Sequence, residues 1–250
     1  FIYGKRFIAK LEFDGNAKGE KRNISSTIHG ATLTTDRHGR KNKAYAFDGI
    51  DDYIELSKGL LNLSQSTSFS IETYIYSEES TGSWTDDQNI PHPYQAGSIF
   101  SLNGSINNGT ELLLLWHQGD SLTSWYNSNL INTAGNQKIS INSSEVYGKY
   151  RHVVLVKDGK KGKIKLFLDG QLIGEKNIDN NTKGVDLTPI IGAHRFISGN
   201  SIHTSFFFKG KMDYFRIYSR PLSQKRIRKM YKKESRTPYK HEYKSKKECE

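Results

Sequence analysis

The chain has 250 residues, 35% of them hydrophobic and 12% aromatic, enough for one large core or two small ones. No apolar run approaches the roughly 18 residues a membrane span requires, and the lone Cys249 excludes an intrachain disulfide and any cysteine-based zinc site. The formal charge of +11 favours acidic partners, but eleven Lys/Arg against four Glu from Gln224 onward carry seven of those charges. Nucleic-acid binding by the whole chain is therefore not favoured.

In chain order, "AYAFDGIDDYIEL" (44–56) places Asp48, Asp51, Asp52 and Glu55 among Tyr, Phe and Ile. Gly49 and Asp51 mark a tight bend between two strands, with Phe47, Tyr53 or Ile54, and Leu56 pointing inward and the acids outward. "SFSIETYIYS" (68–77) alternates Phe69, Ile71, Thr73 and Ile75 with Ser70, Glu72, Tyr74 and Tyr76, the period of a half-buried strand. Residues 77–98 read as a long irregular insertion, and such loops tend to carry function or disorder. "ELLLLWHQ" (111–118) is a continuous apolar run, as in a strand covered on both faces.

Residues 150–177 read as strand, turn, strand, turn, strand, the turns carried by Asp158-Gly159 and Asp169-Gly170, whose residues tolerate positive φ. In "MDYFRIYSRPL" (212–222) Asp213, Phe215 and Ile217 are the expected core face, with Met212, Tyr214, Arg216 and Tyr218 opposite. After Pro221, Ile227, Met230 and Tyr231 follow at i, i+3, i+4 behind a Ser223 N-cap, the single helical signal. The expected fold class is all-β, one antiparallel sandwich over residues 1–232 with a short C-terminal helix, followed by a basic tail at 233–250.

The order of "LEFDGNAKG" (11–19), "GATLTTDRHGRKNKAYAFDGIDDYIEL" (30–56), "SFSIETYIY" (68–76), "HVVLVKD" (152–158), "IKLFLDGQLIG" (164–174), "IIGAH" (190–194) and "GKMDYFRIYSRPLSQKRIRKMY" (210–231) resembles the laminin-G-like, concanavalin A-like jelly-roll domain of bacterial surface proteins. The resemblance implies a jelly-roll β-sandwich in a secreted or cell-surface protein. The chain begins at Phe1 rather than Met, and removal of an upstream segment is expected. Relatives of this family often hold a calcium ion near the sandwich edge, and the matching positions are Asp14, Asn16, Asp51, Asp52 and Asp213. The same acids serve equally as turn caps. Lys18, Lys21 and Arg22, just after the first of these motifs, would weaken a cation electrostatically.

Catalysis is not expected. Glycosidases on this architecture carry paired acids on one strand of a face; "DDYIEL" has the wrong order and Glu72 has no acidic partner two or four residues on. Sugar binding requires aromatic faces beside Asp, Asn or His, and the candidates are Trp84, Asp86, Asp87, Asn89, Trp116, His117, Trp125 and Tyr126. Core packing of Trp116 and Trp125, and a local cation site beside Trp84, are the competing readings.

Lys225, Arg226, Arg228, Lys229, Lys232 and Lys233 crowd the helix, either as a solvated face or as a docking element for an acidic surface. The leading expectation is a non-catalytic recognition or adhesion module for a glycan or surface protein, bound at the loop edge containing residues 77–98. The alternative is a structural subunit docked in a larger assembly through its basic C-terminal segment.

Overall fold

The computed structural model describes residues 7–19, 24–61, 67–78, 82–85, 91–94, 97–103, 111–118, 121–127, 137–178, 188–198 and 201–235. Its strands are β1 (Phe7–Leu11), β2 (Ser26–His29), β3 (Thr32–Thr34), β4 (Ala44–Asp48), β5 (Tyr53–Leu56), β6 (Phe69–Ser77), β7 (Gly82–Thr85), β8 (Pro91–Tyr94), β9 (Phe100–Asn103), β10 (Glu111–Gln118), β11 (Ser121–Asn127), β12 (Gln137–Asn142), β13 (Tyr150–Asp158), β14 (Lys163–Leu168), β15 (Gln171–Asn177), β16 (Ile190–Ile191), β17 (His194–Ser198), β18 (Ser201–Ser205) and β19 (Lys209–Tyr218), followed by the helix α1 (Gln224–Glu234). Two large antiparallel sheets and two separate hairpins, β7-β8 and β17-β18, result. One sheet runs β15-β14-β13-β6-β19-β4-β3, with β1 also on β19, and the other β12-β11-β10-β9-β16-β5-β2.

Alternation decides which side chains meet between the layers. Ile71 and Ile75 of β6, Val153 and Leu155 of β13, Leu166 of β14 and Ile217 of β19 face Ile54, Leu102, Ile139 and Ile191 of the second sheet in one core cluster. Phe100 of β9 stacks on Phe215 of β19 across that core, ring centroids 5.2 Å apart.

Strand β19 departs from the alternation expected of it. Its pairing with β6 shifts register between Met212 and Tyr214, a bulge that turns Met212 into the core with Phe215 and Ile217. Asp213 is thereby removed from the core face and joins Arg37 instead. Thr73 Oγ1 of β6 donates 2.7 Å to the Tyr214 carbonyl beside the irregularity. One edge of β19 is shared, β4 pairing with residues 209–212 and β1 with residues 215–218.

The outer face of β6 is not half-solvated either: Ser70, Glu72 and Tyr74 are all buried. The cover at one end is α1, whose Ile227 and Met230 pack with Val154, Val156, Phe167, Tyr218 and Leu222 in a second apolar cluster. Ser223 Oγ accepts the Arg226 N–H and caps the helix as expected. The helix leans on the β14–β15 turn, where Asp169 and Gly170 both take positive φ; a Cβ on Gly170 would lie 3.2 Å from the Arg228 Cα. The helix continues to Glu234, past the boundary expected at residue 232.

Ile227→Ala should remove a wholly buried side chain and cost about 2–4 kcal/mol in urea unfolding, whereas Lys229→Ala on the exposed side should change stability by less than about 0.5 kcal/mol.

Candidate functional site

Four connections meet at one end of the sandwich. Lys209 pairs with Asp48, Gly210 pairs with Ser77, and the Ser98 N–H donates to the Phe206 carbonyl. The β4–β5 bend, the segment leaving β6 and the segment between β16 and β19 therefore lie side by side. The β2–β3 turn joins them at Gly30, whose φ of +70° and missing Cβ leave room for Asp52 Oδ1. The insertions here are partly ordered as hairpins: β7 pairs with β8, and β17 with β18. Residues 77–98 are thus not irregular throughout.

The acids of the bend do two jobs. Asp48 Oδ1 accepts the Ile50 N–H at 2.7 Å, and Asp52 Oδ2 accepts the Asp48 N–H at 2.9 Å. Asp52 is buried rather than outward-facing. Burial pushes its carboxyl up, helped by the charges of Asp48 and Asp51 and opposed by the Asp48 N–H. One oxygen from each of Asp48, Asp51 and Asp52 lies within 4.8 Å of the others. Beside them Ile50 is 73% exposed.

Around the corner, on the outer side of β5, Tyr53 stacks on His29 with centroids 4.1 Å apart. Arg195 sits 5.5 Å from the Tyr53 ring centroid and donates through Nη1 to Glu55 at 2.6 Å. Phe207 flanks the same ring at 6.4 Å. The patch combines a partly exposed aromatic ring, a guanidinium and a carboxylate. That set can pack on the C–H face of a sugar ring while reaching its hydroxyls.

The five positions matched to a calcium site do not converge. Asp14 pairs with Lys43, and Asp213 takes the Arg37 guanidinium at 2.5 Å. Asn16 closes a local turn by accepting the Lys18 N–H. Asp14 and Asp213 line a cleft of about 150 Å³ with Glu12, Asp36, Arg37, Arg40, Lys43, Tyr214, Arg216 and Glu234. Strand β4 separates that cleft from Asp51 and Asp52. Its five residues, at roughly 3.3 Å each, span about 16 Å. The cationic side chains already satisfy the first pair; among the described residues the Asp48, Asp51 and Asp52 trio is the group that could meet a cation, and it supplies part of the 6–8 oxygens that calcium takes.

Of the expected sugar-binding residues, Trp84 lies in β7 opposite His92. Asp86, Asp87 and Asn89 fall outside the described residues. Trp116 pairs with Thr123 and His117 with Leu122, while Trp125 pairs with Leu113 and Tyr126 with Leu112. Strand β10 stands three strands from β5 in the sheet order, roughly 14 Å away. His29, Arg195 and Phe207 escaped sequence reasoning because they come from separate segments. Tyr53 was within reach: once Leu56 faces inward, alternation turns Ile54 in and Tyr53 out.

Residues 47–228 match the family model Laminin_G_3, the concanavalin A-like lectin/glucanases superfamily. The chain belongs to that family. Its fold is shared with the binding domain of botulinum neurotoxin serotype D (16% identity, TM-score 0.64, covering 92% of this chain and 51% of that one). It is shared also with the binding domain of Paraclostridial Mosquitocidal Protein 1 (16% identity, TM-score 0.61, 93% of this chain and 53% of that one). Domain 4 of AbnA, a GH43 extracellular arabinanase from Geobacillus stearothermophilus, solved with arabinotriose, matches over nearly its whole length (17% identity, TM-score 0.58, 90% of this chain and 98% of that one). The chain thus spans about half the length of the toxin binding domains it resembles. No curated protein matches it in sequence.

Asp52→Ala should cost about 1–2 kcal/mol by orphaning the Asp48 N–H, with Asp51→Ala within about 0.5 kcal/mol of the parent in the same denaturation series. In the cleft, burial pushes the Asp213 carboxyl up to about 6 against the pull of Arg37. A raised acid favours the protonated fold, so its contribution to stability is complete below its unfolded value of 3.8 and is lost as pH rises through about 6. Burial also raises Glu12 and Asp36, but Arg216 and Arg40 respectively outweigh it and hold both low. Their contributions run oppositely, present at neutral pH and lost on acidification. Carboxyl NMR titration should therefore place Asp213 near 6 and the other two below ordinary values; an Asp213 midpoint under 4 would mean that Arg37 outweighs burial.

Proposed function

We propose that the chain is a non-catalytic recognition module of a secreted or cell-surface protein, binding a glycan at the loop end that carries Tyr53. The observation that carries this reading is the partly exposed Tyr53 ring, stacked on His29 and bordered by Arg195 and its partner Glu55. A preformed aromatic platform loses little side-chain entropy when it meets a sugar. Support also comes from the relatives, among them an arabinanase domain solved with arabinotriose and two toxin binding domains.

The non-catalytic part rests on Glu72. The carboxylate is fully buried and occupied by His152, Tyr214 and Tyr218, so Glu72 itself is not offered to a glycosidic bond. Calcium enters the proposal only through Asp48, Asp51 and Asp52, where it would order the bend beside the sugar.

A glycan array with the full chain should yield a binder whose affinity falls at least tenfold in Tyr53→Ala and in Arg195→Gln. Binding that both variants leave intact would move the site elsewhere, and an array without binders would sink the glycan reading. Calcium at about 100 times its dissociation constant should raise stability by about 2.7 kcal/mol, measured as a thermal shift that EDTA reverses and Asp51→Ala abolishes. Without that shift, the trio serves the bend alone.

A further inference from the structure

The helix α1 is divided lengthwise. One side is committed to the sandwich: Ile227 and Met230 are buried, Tyr231 stacks on His152, and Glu234 accepts from Arg37 and Arg216. The other side exposes Lys225, Arg228, Lys229, Lys232 and Lys233 at i, i+3, i+4, i+7 and i+8. These five form one stripe along about 12 Å of helix, and among the described residues it is they that line an open depression of about 560 Å³. The only acid of the helix, Glu234, is turned inward against two arginines.

The composition of the stripe selects its partner. It carries no aromatic or apolar anchor, and the cores of protein interfaces are built on such anchors and depleted in Lys. Four of the five cations are lysines, point charges without the planar fork with which Arg reads one fixed phosphate or carboxylate. Such a row suits a surface that is negative everywhere and demands no single geometry. Residues 236–250 add five Lys/Arg against three Glu to the same end of the chain.

We propose that this stripe docks the domain onto an anionic phospholipid surface, peripherally and without insertion, because the apolar side of the helix is already packed on the sheet. This is independent of the glycan site. Each cation near such a surface strengthens partitioning by about fivefold, and salt screens the attraction over about 10 Å at 0.1 M.

The test is co-sedimentation of the full chain with vesicles of phosphatidylcholine alone and of equimolar phosphatidylcholine and phosphatidylserine, at low and moderate salt. Binding should require phosphatidylserine, weaken with salt and fall about a hundredfold in Lys225→Gln/Lys229→Gln/Lys232→Gln, whose exposed positions leave the fold intact by circular dichroism. The control variant Lys244→Gln/Lys246→Gln/Lys247→Gln should retain most of the binding. Equal binding to neutral vesicles, no binding at low salt, or loss in the control variant but not in the helix variant would each overturn the proposal. So would retention on immobilised heparin without vesicle binding, which would assign the stripe to a sulfated glycan.

Discussion

A carboxylate sealed from water stands in the middle of this molecule. Glu72 projects from the outer side of β6, wholly buried, with His152 Nε2 at 3.0 Å and the hydroxyls of Tyr214 and Tyr218 donating to it. Burial alone would raise its pKa, but the His152 hydrogen bond and charge, the Arg216 charge and the Tyr218 hydroxyl outweigh that and hold it below the ordinary carboxylate range. Removing a charge from water costs several kcal/mol unless its lone pairs are answered. The answering groups come from β13 and β19, the two strands flanking β6, and Tyr231 of α1 closes over His152. A one-residue slip of either flanking strand would turn those donors to the opposite face.

The same network extends outward through Arg216. Its guanidinium lies 3.7 Å from the Tyr214 ring centroid, pairs with both oxygens of Glu12 and reaches Glu234 of α1. Arg37 repeats the arrangement, over Tyr74 and between Asp213 and Glu234. Each buried cation is thus shared between acids from separate elements, tying β1, the β3–β4 loop, β19 and α1 into one outer layer. The layer covers much of the outer face of the sheet and leaves only a cleft of about 150 Å³ whose acids face arginines and a lysine.

Much of the architecture was legible from alternation and turn chemistry. The three-stranded run from Tyr150 to Asn177, the Asp169-Gly170 turn and the Ser223-capped helix stand where the residue pattern puts them. These features depend on neighbours a few residues apart. The bulge at Met212/Tyr214 was not legible, because it depends on how two short strands share one edge of β19. Nor was the pairing of Asp14 and Asp213 with Lys43 and Arg37. Acids matched by motif order carry no information about the cations that a distant loop will bring to them.

The sequence by itself determined an all-β sandwich with one amphipathic, basic helix, because periods of 2 and 3.6 and the φ preferences of Gly, Asp and Pro act locally. Only the tertiary structure decided which carboxylates are available. Glu72, Asp213 and Glu234 are occupied by histidine, tyrosine or arginine from other elements, while the Asp48, Asp51 and Asp52 trio lies beside the Tyr53 and Arg195 patch. The physical reason is that a charge's role depends on burial and on partners within a few ångströms, and the fold supplies those from residues as far as 197 positions away in sequence.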